Sequence, residues 1–423
     1  MGEEAVRLRE ANRTQLRLEP INLDQVIDEN HPARAIWELL HKLDVSRFEE
    51  PIKAREGSAG RDATDPRILL ALWIYAISEG VASARALERL CTSHDAYKWI
   101  CGGVSVNYHM LSDFRVAHGV ALDELMAQLL GALMRNKLVT LYRVAQDGTR
   151  VRASAGASSF RRRKTLREHV QHARKRIEEL NAEAENGELS ERVKQARQRA
   201  AREREQRLTQ ALKQAAELAK SQTTQKNHPQ RKAEKEVRAS STDPEARVMK
   251  RGDGGFRPCY NLQLATDVHS RILVGVTITN KGSDNRQSLP MLDDIKARTG
   301  GQPRQCLLDG GYLHFGSITK AAARGVEFLM PMHKRGGYKA EVYAPHPKDP
   351  PAIAQYRARM AAPDTGEIYK QRAATAETIN ADFKCKRNLE RFLVRGLHKT
   401  LTVAVLTALT YNFTRVIRMG WTL

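Results

Sequence analysis

The stretch LVTLYRVAQDG, residues 138–148, decides how the rest of the chain is interpreted. Its aliphatic and β-branched residues are typical of a β-strand, which we predict to end on Asp147 and Gly148. The glycine permits a close approach to the backbone just beyond the acid. The stretch therefore predicts a strand that presents a carboxylate at its end.

The elements downstream of this strand predict an α/β domain. Two strands rich in β-branched and aliphatic residues, YNLQLAT and ILVGVTIT, form a predicted hairpin around a turn at 267–271. An amphipathic helix at 286–298 follows, and then the short strand QCLLD at 305–309. A second helix at 317–324 leads to the buried strand VEFLM at 326–330, and further helices begin at about 365. An RNase H-like α/β core has this order of elements: three strands, a helix, a strand, a helix, a strand and then helices.

The chain before this core, residues 1 to about 135, is predicted to be all helical. Its clearest helix is PRILLALWIYAISE at 66–79, where Asp65 is the predicted cap and Pro66 suits the first turn. The other predicted helices cover residues 23–45, 83–90, 95–100, 105–117 and 122–134. Short helices joined by tight turns suit a helix-turn-helix-like DNA reader. A generic helical bundle used for dimer contacts remains the alternative.

A charged segment interrupts the core after its first strand. Residues 161–238 have no aromatic residue and carry 22 Lys or Arg against 12 acids. Apolar residues recur there at steps of three and four, which predicts a long helical hairpin or coiled coil with a turn at Gly187. We place the whole basic insertion at residues 156–240. A solvated helix without a partner remains the alternative.

The charge of the chain favours a polyanionic partner. It has 70 Lys or Arg against 49 Asp or Glu, a formal net charge of +21. The sequence has no apolar run long enough to span a membrane, no lipidation motif and no signal-peptide core, so we expect a cytoplasmic, nucleoid-associated protein without membrane contact. The Gly-rich stretch RGDGG at 251–255 lacks the P-loop pattern, so no bound nucleotide is expected.

Metal sites built from cysteine or histidine are not indicated. The histidines form no HExxH or paired zinc spacing. The five cysteines are scattered and include no CxxC pair, which argues against a zinc ribbon or a disulfide framework; they are Cys91, Cys101, Cys259, Cys306 and Cys385.

Three acids on different predicted elements suit phosphodiester chemistry. Two metal ions about 4 Å apart can serve the attacking and the leaving oxygen, and Mg²⁺ prefers oxygen ligands such as carboxylates. Asp147 and Asp309 end predicted strands, and such strand ends meet at one crevice in an open α/β sheet. Glu377 lies on a predicted helix, on the same face as Lys384. Each acid alone is equally explained as a surface residue, but the three together in this order are a stronger signal.

These motifs resemble the bacterial insertion-sequence transposases that have a DDE catalytic core and an N-terminal all-helical domain. The stretch at 145–154 is similar to the family's first-aspartate strand, and LLDGGY is similar to its second-aspartate motif. YKQR, Glu377 and Lys384 resemble its Tyr-Arg-Glu-Lys signature. Other similar stretches are STDPEARVMK and YNLQLATD, near the second strand, and LERLCTSHDAYKWICGG and FRVAHG in the N-terminal domain.

The resemblance implies a DNA transposase that catalyses strand cleavage and strand transfer. It implies that Asp147, Asp309 and Glu377 hold two Mg²⁺ or Mn²⁺ ions. It also implies DNA contacts near the reacting phosphate; these would come from Tyr369, Arg372 and Lys384. The implied partner is double-stranded DNA, at the element ends and at the target, bound by a homo-oligomer.

The expected domains are a helical DNA-binding and assembly domain at residues 1–135 and a catalytic domain at residues 136–423. Three other functions stay open. One is a nuclease on the same RNase H-like scaffold, which cuts DNA without joining ends. The second is a catalytically silent DNA-binding repressor derived from a transposase. The third is a coiled-coil scaffold whose basic insertion binds RNA.

Overall fold

The computed structural model describes residues 22–54, 62–185, 190–224, 237–332, 340–344 and 346–421. The predicted turn at Gly187 lies outside these residues. The described chain forms a mixed α/β fold, in which helices pack against one six-stranded sheet.

Helices make up the described chain up to Arg135. A 3₁₀ turn at Leu23–Gln25 precedes α1 (Pro32–His41), α2 (Ser46–Glu49), α3 (Pro66–Ser78), α4 (Ala84–Ser93), α5 (Asp95–Cys101), α6 (Tyr108–Ala117) and α7 (Gly119–Arg135). The predicted helix at 66–79 is confirmed as α3, and the Asp65 side chain caps it by accepting a hydrogen bond from the Arg67 N–H. Every residue from Ile68 to Ile77 is buried, so α3 lies at the centre of the helical core.

Within the described residues, eight strands form two sheets; they are β1 (Arg143–Arg152), β2 (Phe160–Arg162), β3 (Arg238–Ser240), β4 (Arg247–Lys250), β5 (Phe256–Asp267), β6 (Leu273–Thr279), β7 (Gln305–Leu307) and β8 (Glu327–Leu329). The large sheet has the order β4-β5-β1-β7-β8, and β6 also pairs with β5. β1, β7 and β8 run parallel, because α10 (Ser288–Thr299) and α11 (Phe315–Ala322) carry the chain back between strands. This mixed sheet is consistent with an RNase H-like core.

The first strand is longer than predicted, and Asp147 does not end it. β1 continues beyond Asp147 to Arg152 and pairs with β5 in antiparallel register, with Asp147 opposite Leu264. The predicted strand end at Asp147 and Gly148 is wrong, because Gly148 does not interrupt the pairing of β1 with β5. In the sheet this glycine is an ordinary paired residue opposite Gln263.

Two long helices lie between β2 and β3. α8 (Arg163–Glu185) and α9 (Glu191–Thr224) pack along each other, as predicted for this helical hairpin, although a coiled-coil twist stays a prediction. β2 and β3 pair with each other, so the two ends of this insertion lie side by side. The helices share an apolar cluster separate from the main core; it consists of Leu166, Val170, Ala173, Leu208, Ala211, Ala215 and Ala239.

Helices also complete the described chain at its carboxyl end. They are α12 (Pro351–Ala361), α13 (Thr365–Arg372), α14 (Thr378–Ala381) and α15 (Leu397–Arg418), and two π-helical turns, Ala373–Glu377 and Asp382–Lys386, flank α14. By length and composition α15 could cross a membrane, as could the bent pair α6 and α7 taken together. However, 72% of the apolar window of α15 is buried inside the molecule, where it packs against β6, α3 and α7.

Asn412 holds α15 to the sheet through two hydrogen bonds. Its Oδ1 accepts from the Leu273 N–H and its Nδ2 donates to the Leu273 carbonyl, both at 2.9 Å, and the side chain is fully buried. We expect Asn412→Ala to lower the free energy of unfolding by about 2–4 kcal/mol, because two buried backbone groups lose their partners. Urea unfolding followed by circular dichroism measures this loss.

Thr407→Val is the matched control for this substitution. Thr407 is also buried on α15, but its hydroxyl bonds only to the Val403 carbonyl of the same helix. We expect its effect to stay within about 1 kcal/mol. Equal losses for the two variants would show that Asn412 does not act through the sheet.

Candidate active site

Asp147 and Asp309 are neighbours because of the register of two parallel strands. β1 and β7 pair side by side, with Ala145 opposite Leu307. Each aspartate comes two residues later, and parallel strands end at the same edge of a sheet. Asp147 is held by the pairing of β1 with β5, whereas Asp309 follows β7 and caps the 3₁₀ turn Gly310–Tyr312.

Arg372 lies between the two carboxylates. Its Nη2 is 3.2 Å from Asp147 Oδ1 and 3.9 Å from Asp309 Oδ2. Since both oxygens approach one nitrogen, the two acids face the same small volume. Two carboxylates this close repel each other, and the guanidinium between them offsets that repulsion.

Asp147 is the more enclosed of the two acids. Its side chain is 19% exposed, against 44% for Asp309. Burial raises the pKa of Asp147, Arg372 opposes this rise, and the negative charges of Asp309 and Asp284 add to it. Asn380 donates a hydrogen bond from Nδ2 to Asp147 Oδ2 at 2.9 Å. The net shift is upward, so burial outweighs the ion pair.

A polar network lies against Gly148, and the sequence reasoning missed it. Asp284 Oδ1 accepts hydrogen bonds from Asn261 Nδ2 and Gln263 Nε2, both at 2.7 Å, and its Oδ2 accepts from Arg150 at 2.9 Å. A Cβ on Gly148 would lie 2.4 Å from Asp284 Oδ1 and 2.3 Å from Gln263 Nε2, so only glycine fits there. The sequence does contain a signal for this network. Asn261 and Gln263 are two polar residues on one face of a buried strand, and such residues need hydrogen-bond partners.

The helical segment from α13 onward carries the other predicted residues. The Tyr369 hydroxyl donates to the Leu308 carbonyl at 3.0 Å, which fixes α13 against the residue before the second aspartate. Burial lowers the pKa of Lys384, the positive charge of Arg251 lowers it further, and the charge of Asp147 raises it. Lys384 therefore lies close enough to Asp147 to interact with its charge.

Glu377 is the predicted ligand that the structure leaves apart from the pair. It is exposed, at the end of the π-helical turn Ala373–Glu377. Over the described ranges, no group of three His, Cys, Asp or Glu side chains is placed to hold a metal ion. Glu377 nevertheless lies between Arg372 and Asn380, both of which contact Asp147, so its helical segment borders the site.

The raised pKa of Asp147 makes the stability of the fold depend on pH. A carboxyl group whose pKa is higher in the folded state stabilises the fold when protonated; this contribution is complete below the unfolded pKa and is lost as the pH rises through the folded pKa. We therefore expect the neutral variant Asp147→Asn to melt at a higher temperature than the parent at about pH 7. The difference should shrink as the pH falls toward about 4. Thermal unfolding across this pH range measures it.

Asp364→Asn is a control of opposite sign. A hydrogen bond from Arg359 lowers the pKa of Asp364, so this carboxyl group stabilises the fold above its unfolded pKa and loses that effect as the pH falls. Its removal should lower the melting temperature slightly near neutral pH, because the pair is exposed. Parallel shifts in both variants would contradict the burial argument for Asp147.

Two family models match the chain. One, described as a transposase DDE domain, matches residues 222–413, and the other, described as a transposase domain (DUF772), matches residues 21–117. The first range includes Asp309 and Glu377, whereas Asp147 precedes it, on the other side of α8 and α9. No curated protein and no solved structure matches the chain. The two matches follow each other along the chain and together cover well over half of it. The chain is a DNA transposase, and it belongs to the DDE transposases of the insertion-sequence type.

Proposed function

We propose that this transposase binds the ends of its mobile element and catalyses metal-dependent strand cleavage and strand transfer at Asp147, Asp309 and Glu377. The observation that carries the proposal is the matched position of the first two acids, which both lie two residues beyond the Ala145–Leu307 pair of adjacent parallel strands and face one arginine. In this proposal residues 136–423 are an RNase H-like catalytic domain with the insertion at 156–240. Residues 1–135 bind DNA and support assembly.

The two aspartates have the chemistry that divalent metal ions require. Mg²⁺ and Mn²⁺ prefer oxygen ligands, and both carboxylates are held on rigid elements beside each other. Two bound ions would stabilise the attacking and the leaving oxygen of the phosphodiester. The ion pairs with Arg372 support this assignment, because they show that the carboxylate pair attracts a cation. When the acids hold metal ions, the guanidinium of Arg372 is available for a DNA phosphate.

Glu377 is proposed as the third ligand. It ends a π-helical turn that directly follows Arg372, and the hydrogen bonds of such a turn span five residues instead of four. Arg372 and Asn380 on this segment already touch Asp147. We expect the exposed Glu377 side chain to turn toward the aspartates when DNA and metal ions are bound.

Two further side chains are proposed to position the DNA. Lys384 carries a positive charge close to Asp147, where the reacting phosphate would lie. Tyr369 is fixed by its bond to the Leu308 carbonyl, so its ring and hydroxyl hold α13 in place and border the same crevice. The wider affinity for the element ends comes from the helical region at 1–135 and from the excess of Lys and Arg.

We expect Asp309→Asn to abolish strand cleavage while leaving binding to the element ends intact. The amide is nearly isosteric with the carboxylate, but it removes one anionic metal ligand, which raises the barrier by several kcal/mol. Gel-shift affinity and nicking of the same DNA in Mg²⁺ or Mn²⁺ measure the two properties. Asp293→Asn is the matched control, because Asp293 is an exposed aspartate whose partner is Arg324, in the turn that follows α11.

The possible outcomes separate the alternatives. Normal nicking by Asp309→Asn would eliminate Asp309 as a ligand and revive the repressor or scaffold hypotheses. Cleavage by the parent without any joined product would favour the nuclease. Loss of both binding and nicking would point to misfolding, and Glu377→Gln, an exposed position, then tests the ligand set without that risk.

Removing α8 and α9 should weaken DNA binding without destroying the core. The deletion connects Arg162 to Arg238, which pair across β2 and β3, and it removes an apolar cluster that is separate from the main core. Because the deleted residues 163–237 carry 19 Lys or Arg against 12 acids, we expect lower affinity and a flatter dependence of affinity on salt. Titration of the same DNA at several salt concentrations measures both. An unchanged salt dependence would remove the electrostatic role of the insertion.

A further inference from the structure

The hairpin formed by β4 and the start of β5, residues 247–259, presents an apolar side chain to solvent at its tip. Phe256 is 69% exposed, the largest value among the exposed large apolar side chains of the described chain. Val248, on the opposite strand, is 50% exposed. Lys250 pairs directly with Phe256, and residues two apart on a strand point the same way, so all three side chains share one face.

The other face of this hairpin anchors it to the molecule. Met249 is buried and approaches Gly282, where an added Cβ would lie 3.6 Å from its Cγ. The turn is closed by the Arg251 N–H, which donates to the Gly255 carbonyl. The exposed face is therefore held on a fixed support.

The hairpin carries four basic residues and one acid, Asp253. Lys250 is exposed beside Phe256, whereas Arg257 pairs with Met249 and is exposed on the other face of the hairpin. Arg251 is 3.9 Å from both Asp253 and Glu390, so these acids balance part of its charge. The hairpin as a whole therefore has a net positive charge.

The distance from the site to the hairpin tip is set by β5. Phe256 precedes Leu264 by eight residues, and Leu264 lies opposite Asp147. At about 3.3 Å per residue, Phe256 lies up to about 26 Å from the level of Asp147. That length equals about eight base pairs of duplex DNA.

We propose that this hairpin binds the DNA that flanks the reacting phosphate, with the Phe256 ring against the bases, Lys250 on a phosphate beside it and Arg257 on a phosphate reached from the other face. The inference rests on the proposed function, since it assumes that DNA occupies the Asp147 crevice. An exposed ring among cations matches DNA, which offers flat apolar bases inside an anionic backbone. Neutral apolar partners would gain nothing from the cations.

The test compares single variants of the full chain on duplex DNA that carries the element's own end and about eight flanking base pairs. Phe256→Ala should lower affinity about tenfold at every salt concentration, because base contact by an aromatic ring does not release counterions. Lys250→Ala and Arg257→Ala should each reduce the slope of log affinity against log salt by about one. Met419→Ala, at a 37% exposed site that follows α15, is the matched control and should change neither quantity.

A second measurement locates the contact. The fluorescence of 2-aminopurine, placed at successive flanking positions, should change on binding of the parent chain at one or two positions. Phe256→Ala should lose this change, and Phe256→Trp, which keeps a flat ring, should restore it.

The outcomes distinguish this inference from the proposed function. If the parent binds and nicks the end DNA but Phe256→Ala has the parent's affinity and fluorescence, the inference is overturned while the function stands. If Phe256→Ala changes the sedimentation of the DNA-free protein and leaves DNA affinity unchanged, the face is a contact between copies of the chain and the inference is overturned. A parent chain that shows no end binding would overturn both.

Discussion

The pairing of β1 with β7 in parallel register is the constraint on which the candidate site depends. Because Ala145 is opposite Leu307, two carboxylates that are distant in sequence lie side by side. The main-chain hydrogen bonds of the sheet impose this closeness against electrostatic repulsion. The fold can maintain it because Arg372 reaches both acids and Asn380 bonds to one of them. The sheet thus supplies the geometry, and the α13–α14 segment supplies the charge balance.

In this arrangement the negative charge of Asp147 is only partly compensated. Burial of Asp147 raises its pKa even with Arg372 beside it, so the surrounding residues do not fully stabilise its charge. Active sites commonly retain such destabilised groups, because a group already satisfied by its neighbours has little affinity left for a ligand. On the far side of the same strand, Asp284 is fully bonded and keeps β1 in place through Gln263 and Asn261. Asp284 is therefore structural, whereas Asp147 is the proposed metal ligand.

The sequence predicted the elements of this fold better than their exact ends. Helix α3 and the β5–β6 hairpin were predictable because apolar runs bounded by Asp65 and by the turn at 267–271 carry strong local signals. The error at Gly148 arose because a glycine next to an acid suggests a turn, whereas the space it leaves is filled by side chains from β5 and from the loop after β6. Those contacts are long-range, so no local pattern contains them.

Parts of the site could not be predicted from the sequence, for physical reasons. The order of acids placed Asp147 and Asp309 on adjacent strands, but it could not reveal that one arginine bridges them. The π-helical turns around α14 were not foreseeable either, because they depend on how the segment packs against the sheet. The short strands β2, β3 and β4 lacked enough residues for a periodic pattern.

The pairing of β2 with β3 has a consequence for how this protein can change over time. The two ends of the α8–α9 segment meet across one small ladder, and α9 also bonds to the large sheet through Arg247 and Gln214. The sheet is therefore independent of how far the helices extend beyond these contacts. α8 alone, with 23 residues, spans about 35 Å, close to one turn of the DNA double helix. Matched gains or losses of residues in the outer parts of the two helices would lengthen or shorten this arm and move its tip, while the candidate site stayed where it is.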